Sequence, residues 1–501
     1  MASALVVVAA VVVLVATVAD GGAPTTRLNL NNPTLDPTIP NTPPVTTGIV
    51  AAFFTNQAPF PATNIPAGLL THLIYSFANV NTDCSIFTMY PADLDPNNPF
   101  SYAQVLATVR ASAPDDVHRR PGSSNNRPRV CQVRKANPNI KVMLSFGGDT
   151  QNVDPKTCPA FTACVATQAT RATFIGNMLA WVRQHGFDGI DLDWESPGVP
   201  LKCGVPDDKP NFVSLLREMQ AQIRADVANG KPDLLVSLSL ISSPSYIQEG
   251  LDLANLHYYV NFINLQFYEM TLGDLKKTEP HTALQGNQVG MSMVESLKMF
   301  NALPANKIVA GVGFFSKAYR LAAGTPCAYN QADLGFDLGA ELAYHQIVDL
   351  LAANPQIAVT HDAATTTTFF CTTAGDGTRV LHSYSTADDL QQDINFFLVQ
   401  GLAGTNIWTV NHDVQPGFPL TSMLAKSMVR NRSTTTTTPA PTMGAQPTQA
   451  PPPQQGSVAG SAPTSGATPA PTAAADTSEH PGTETIVTAA LLTLAAFANA
   501  V

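Results

Sequence analysis

The chain has 501 residues, of which 13% are charged and 45% hydrophobic, and its formal net charge is −10. So acidic a balance with so few cations excludes a nucleic-acid backbone as the partner. The length allows several domains, but the apolar periodic segments form one continuous series, as a single large α/β domain would.

Residues 1–19 carry an apolar run from Ala4 to Val18 with small residues at Thr17 and Ala19, and read as a signal peptide cut after Ala19. Residues 20–47, rich in Pro, Thr and Asn, form a flexible leader. Short β-branched and aromatic runs closed by turn residues then predict eight strands, at 48–54, 71–78, 140–145, 187–195, 234–240, 262–268, 307–313 and 404–410. Amphipathic helices lie between them. Phe212, Leu215, Leu216, Met219 and Ile223 recur at helical spacing, with Gly230 as the left-handed stop. Thr386, followed by Asp388 and Asp389, starts another helix that Gly401 ends. Eight strands alternating with helices predict an α/β fold, a (β/α)8 TIM barrel over residues 48–427, with its chemistry at the carboxyl ends of the strands.

Two insertions interrupt this rhythm. The segment between the second and third strands carries His118-Arg119-Arg120 and Arg127-Pro128-Arg129, and reads as a solvated loop. The second spans about 316–382, before the last strand. The seven cysteines, Cys84, Cys131, Cys158, Cys164, Cys203, Cys327 and Cys371, permit at most three disulfides, and Cys327 with Cys371, which bracket the second insertion, is the favoured pair. Their spacing offers no Cys-x-x-Cys, so no metal site and no cofactor are expected.

Beyond Arg430 the composition changes. Residues 431–485 form a Thr/Pro-rich disordered stalk suited to O-glycosylation, since 433–485 contain no Phe, Tyr, Trp or Cys with which to build a core. Asn431-Arg432-Ser433 is an N-glycosylation sequon. Residues 486–501 are mostly apolar, and with the small residues at 473–478 upstream they fit a GPI-anchor signal; a frayed apolar terminus is the alternative.

The most informative stretch is Phe187-Asp188-Gly189-Ile190-Asp191-Leu192-Asp193-Trp194-Glu195. In an extended strand Asp191, Asp193 and Glu195 share one face, Ile190, Leu192 and Trp194 the other, and Asp188 falls on the opposite parity near the strand entrance. Acids packed side by side toward an interior repel one another and lose hydration, which raises at least one pKa and keeps a proton in the row. A solvated acidic edge strand is the competing explanation, and the apolar opposite face argues against it.

The spacing Asp-x-x-Asp-x-Asp-x-Glu resembles the catalytic strand of the family 18 glycoside hydrolases, the chitinases and chitinase-like proteins. Three more segments are similar to that family's strands: Ser145-Phe146-Gly147-Gly148 to Ser-x-Gly-Gly, Gln266-Phe267-Tyr268-Glu269 to Met-x-Tyr-Asp, and Gly404-Thr405-Asn406-Ile407-Trp408 to the last strand with its Trp. The likeness runs from about 48 to about 426. It implies that the second insertion is a short α+β domain forming one wall of the cleft, with Glu341-Leu342-Ala343-Tyr344 near the start of its helix, and its shortness implies a shallow cleft.

Breaking a glycosidic bond needs a proton for the leaving oxygen and a partner for the oxocarbenium-like centre. Glu195, last in the acidic row, is assigned as the general acid, its pKa raised by desolvation and neighbouring acids. Asp193 is badly placed to attack the sugar, being on the same strand and face at roughly 7 Å. The resemblance implies instead that the substrate's 2-acetamido oxygen is the nucleophile: Asp193 holds the acetamide, Asp191 shares a proton with Asp193, Tyr268 donates to the acetamide and Trp408 floors the sugar. By the same resemblance Gln266, Glu269, Phe54, Gly147 and Gly148 bind substrate, while Asp188 and Ser145 are structural. Departures from the family are Ser196 after the Glu, Gln266 and Glu269 beside the Tyr, and Phe53-Phe54-Thr55 in the first strand. With Trp only at 181, 194 and 408, the chain lacks the aromatic row that a processive enzyme on crystalline chitin uses.

The expectation is a monomeric, secreted or cell-surface hydrolase of chitin or chito-oligosaccharides. An endo-β-N-acetylglucosaminidase acting on N-glycan cores and a non-catalytic chitinase-like lectin are the alternatives, with inert display of the barrel on its stalk as a structural one.

Overall fold

The computed structural model describes residues 48–56, 60–111, 137–195, 197–270, 276–287, 290–335, 340–373 and 377–434. All belong to the first of two units into which the chain divides, Met1–Thr438 and Pro439–Val501. The leader, the basic insertion with Cys131, most of the stalk and the apolar tail lie outside the described residues.

In chain order the strands are β1 Ile49–Thr55, β2 His72–Val80, β3 Ile86–Phe87, β4 Lys141–Gly147, β5 Gly189–Asp193, β6 Leu235–Ile241, β7 Phe262–Gln266, β8 Ile308–Gly313, β9 Lys317–Leu321, β10 Val359–Asp362, β11 Thr367–Thr373, β12 Arg379–Tyr384 and β13 Gly404–Trp408. The α-helices are α1 Tyr102–Arg110, α2 Asp149–Val153, α3 Pro159–Val165, α4 Gln168–His185, α5 Asp208–Ala228, α6 Leu253–Leu256, α7 Met293–Met299, α8 Tyr344–Ala353, α9 Ala387–Val399 and α10 Pro419–Thr434. Parallel pairing runs β1-β13-β8-β7-β6-β5-β4-β2 and returns from β2 to β1, which closes an eight-stranded (β/α)8 barrel.

Strand parity divides the core into two layers. Val50, Ala52, Phe54, Leu144, Ile190, Leu192, Trp194 and Leu238 join helix residues such as Phe174, Met178, Leu215 and Met219 in the outer cluster. Ile49, Ala51, Phe53, Ile74, Met143, Phe262 and Val309 form a separate cluster without helix residues, which fills the barrel interior. Above this apolar plug the inward positions turn polar, because Ser145, Asp191, Ser237, Ser239 and Asn264 sit further along the strands on the same parity.

The helices start and stop where the residue chemistry places them. Thr386 caps α9 in a reciprocal box with Asp389, Gly401 lies just beyond its end at φ 68°, and Gly230 follows α5 at φ 81°. The second insertion is a four-stranded antiparallel sheet, β10-β11-β12-β9, with α8 beside it. Cys327 pairs with Cys371 inside it; the other disulfides are Cys84–Cys164 and Cys158–Cys203.

Candidate active site

β5 carries its acids to the top of the barrel. Asp191 is fully buried and accepts hydrogen bonds from Ser145 Oγ at 2.8 Å, Ser237 Oγ at 2.5 Å, Ser239 Oγ at 3.0 Å and Asn264 Nδ2 at 3.4 Å. Burial pushes its carboxyl above the ordinary range against the pull of these four donors. Ser145 is thus one of the groups that hold Asp191.

Asp193 is 2% exposed, and its Oδ1 has no hydrogen-bond partner among the described residues. Burial, then the charges of Glu195, Asp191 and Asp149, raise its pKa well above the usual carboxylate value. A buried carboxyl oxygen with nothing to accept from costs stability, and a bound N–H donor would relieve that cost.

The ladder of β5 ends at Asp193, opposite Gly147, so the predicted strand to 195 is two residues too long. Glu195 stands beyond the sheet. Burial, followed by the charge of Asp149, raises its pKa to about 8; Lys202 opposes that, Glu269 adds to it, and a hydrogen bond with Gln266 opposes it again. Gln266, the last residue of β7, therefore touches the acid itself. Beneath, Trp194 stacks on Phe161 with ring centroids 5.3 Å apart and meets Phe212 edge-on at the same distance, while Tyr246 donates its hydroxyl to Trp194 O at 3.1 Å.

Tyr268 lies just past β7 and is buried, with its pKa raised first by burial and then by Asp193, Glu269, Glu195 and Asp191; its ring packs edge-on against Phe315 at 5.8 Å. Glu269, 44% exposed, pairs with Lys317 at 2.6 Å, and Lys317 also reaches Glu341 at 3.1 Å. That link ties the end of β7 to the second insertion. Trp408 ends β13 and faces inward, its ring 5.1 Å from Phe53 and stacked with Phe77 at 5.9 Å.

The two glycines act through the backbone. A side chain at Gly147 (φ 119°) would meet Asp193 O at 2.2 Å, and one at Gly148 (φ 83°) would strike the Phe77 ring at 2.6 Å. Next to them a cleft of about 90 Å3 that opens to solvent is lined by Thr55, Asn56, Phe77, Tyr90, Gly147 and Thr150, with Tyr90 on its rim 49% exposed.

Phe54 does not join the site. It is fully buried in the outer layer, against Phe60 at 6.2 Å and Tyr75 at 5.5 Å, and Phe53 is the inward residue beside Trp408. Every residue of β1 is buried, so no alternation marks which face is the interior. Asp188 pairs with Arg110 at 2.5 Å and accepts the Val142 N–H at 2.8 Å at the opposite end of the strand, away from the acidic row. Asp149, Asn152, Lys202 and Lys317 also belong to the site, and strand periodicity gives no sign of them because they stand on the short α2, at the end of a 3-10 turn over Pro200–Lys202 and in the second insertion. Asp149 had one available cue: it follows the Gly147-Gly148 pair directly.

The family model for Glycosyl hydrolases family 18 matches residues 49–413. A "Probable endochitinase" of Caenorhabditis elegans is 27% identical over 294 residues, which are 56% of this chain and 42% of that protein. The "Class V chitinase" of Arabidopsis thaliana is 24% identical over 387 residues, 74% and 88% of the two chains, and "Chitinase 1" of Aphanocladium album is 27% identical over 376 residues, 72% and 80%. Among solved structures, the class V chitinase from Nicotiana tobaccum aligns with a TM-score of 0.61 at 20% identity, covering 76% of this chain and 99% of that one. The group IV chitinase of Ostrinia furnacalis in complex with allosamidin gives 0.63 at 19% identity, over 77% and 99%. At these identities the structural likeness speaks for the fold.

Proposed function

Since the chain belongs to the glycosyl hydrolases of family 18, we propose that it is a chitinase, hydrolysing β-1,4 linkages between N-acetylglucosamine units by substrate-assisted, retaining catalysis with Glu195 as general acid. The observation that carries this reading is the pair formed by Asp193 and Glu195 at the top of the barrel: a buried carboxyl with an unpartnered oxygen beside one that burial and Asp149 push up to about 8. The chitinase names of the relatives support the substrate, as does the tobacco class V enzyme, a variant of which is solved in complex with NAG4.

In the first step Glu195 gives its proton to the glycosidic oxygen and the C1–O bond breaks. The acetamido carbonyl oxygen of the same sugar attacks C1 from the opposite face, so an oxazolinium ion forms. Asp193 accepts the acetamide N–H on its free oxygen and faces the positive charge, while Asp191, held by its serines, takes up the proton the pair shares. Tyr268 donates to the acetamide, Trp408 floors the distorted ring and Gln266 steadies Glu195. In the second step the Glu195 carboxylate removes a proton from water, water adds to C1 from the face the leaving group vacated, and the acetamide is restored. The product keeps the β configuration.

Glu195→Gln keeps the shape and removes the proton. Turnover of a soluble chito-oligosaccharide should fall by about 10²-fold or more, in line with the worth of general acid catalysis, while binding persists. Full activity in a folded variant would overturn the mechanism, as would an α-anomer as the first product seen by NMR. Glucose polymers, lacking the acetamide, should remain uncut, and a high-mannose glycopeptide offered in parallel distinguishes chitin from N-glycan cores.

We further propose that the chain is exported and tethered, supported by the apolar start, the Thr/Pro-rich 431–485 and the apolar 486–501.

A further inference from the structure

Because β5 stops at Asp193, no strand ladder fixes the backbone that carries Glu195. One side chain takes its place. Asn152, on α2 and 1% exposed, accepts the Glu195 N–H on its Oδ1 at 3.1 Å. Its Nδ2 donates to Asp193 O at 3.0 Å and to Gly148 O at 2.8 Å. The amide therefore grips the chain on both sides of Trp194 and ties it to the glycine turn, whose Gly148 N–H donates to the same Asp193 O at 3.1 Å. Only an amide in this orientation answers one N–H and two carbonyls together; flipped, it would set its NH2 against the Glu195 N–H. Hiding an amide this completely is costly unless its bonds are made, and here they are made to the two residues that flank the acid step.

We propose that Asn152 is a positioning residue that sets the Glu195 backbone, so that the carboxyl reaches the glycosidic oxygen while Asp193 faces the acetamide. This rests on the reading of Glu195 as the acid. Asn152 touches no reacting atom and acts only through the 193–195 segment.

The test uses the full-length protein and the N-acetylglucosamine tetramer with four variants: Asn152→Ala, Asn152→Asp, Glu195→Gln, and Asn152→Ala combined with Glu195→Gln. A misplacement of about 1 Å is worth on the order of 10²-fold, so Asn152→Ala should lower kcat by roughly 10- to 100-fold with KM little changed. In the double variant the two losses should fall short of multiplying, because the part of the effect that acts through the Glu195 carboxyl is already gone. Asn152→Asp keeps the shape and decides the matter if the alanine variant does not fold. It should also lose kcat, and its alkaline limb should move to higher pH because a second negative charge then faces Glu195. Wild-type kcat in either variant, or losses that multiply in the double variant, would overturn the positioning role while leaving the acid intact. An active Glu195→Gln would remove the acid assignment and this inference with it.

Discussion

Burial and the charge of Asp149 push the Glu195 carboxyl up to about 8, and under the proposed mechanism that shift bears on both catalysis and stability. The alkaline limb of kcat/KM reports the acid of the free enzyme, so it should fall near that pH. Asp149 is the largest charged contributor to the shift and Lys202 opposes it, so Asp149→Asn should move the limb to lower pH and Lys202→Met to higher. A limb that ignores both substitutions would mean another group titrates. Stability follows the same proton. The unfolded chain loses it near 4.5 and the folded one near 8, so between those values the folded state binds more protons and its stability falls as pH rises. The slope is about 1.4 kcal/mol per pH unit at most for one such group. Glu195→Gln should therefore gain stability over the parent as pH rises from 5 to 8 and show no gain near pH 4, as read by urea unfolding. A difference that does not change with pH would contradict this cost of holding the acid.

At the scale of elements, the acidic step is supported from the outer layer. Trp194 fills the space between Phe161 and Phe212, and its carbonyl takes the Tyr246 hydroxyl, so the residue between Asp193 and Glu195 is a core anchor. Trp194→Ala should cost roughly 3–5 kcal/mol in unfolding experiments and lower kcat as well, because the cavity frees the 193–195 segment. Loss of stability with kcat untouched would show that Asn152 and the glycine turn suffice. The loop after Glu195 is fastened in a similar way, since Asp208 Oδ2 accepts from Gly198 N–H at 3.1 Å, Val205 N–H at 2.8 Å and Thr162 Oγ at 3.0 Å. Cys158–Cys203 closes the same loop next to Lys202, which keeps that charge near the acid.

Across the whole molecule, the tethering proposal predicts that the mature protein lacks 486–501 and is released from cells by a phosphatidylinositol-specific phospholipase. Recovery of free protein in the medium with 486–501 intact by mass spectrometry would end it.

The eight barrel strands, the caps at Thr386 and Gly401, the Cys327–Cys371 pair and the acidic row were all legible in the chain, because each depends on local periodicity, capping chemistry or spacing. Strand parity put Asp191 and Asp193 on one face of β5, whereas Ser145 came only from the likeness to the family's Ser-x-Gly-Gly strand. The structure had to decide the rest. Phe53 rather than Phe54 faces Trp408, since a strand buried on both sides carries no polarity signal to tell the faces apart. Asn152, Lys202 and Lys317 reach the site from a short helix, a disulfide-closed loop and an insertion, and only closure of the barrel brings those segments to the end of β5. Sequence determines which groups a strand carries and how they alternate; which way the strand turns, and what meets it there, is settled by packing among residues far apart in the chain.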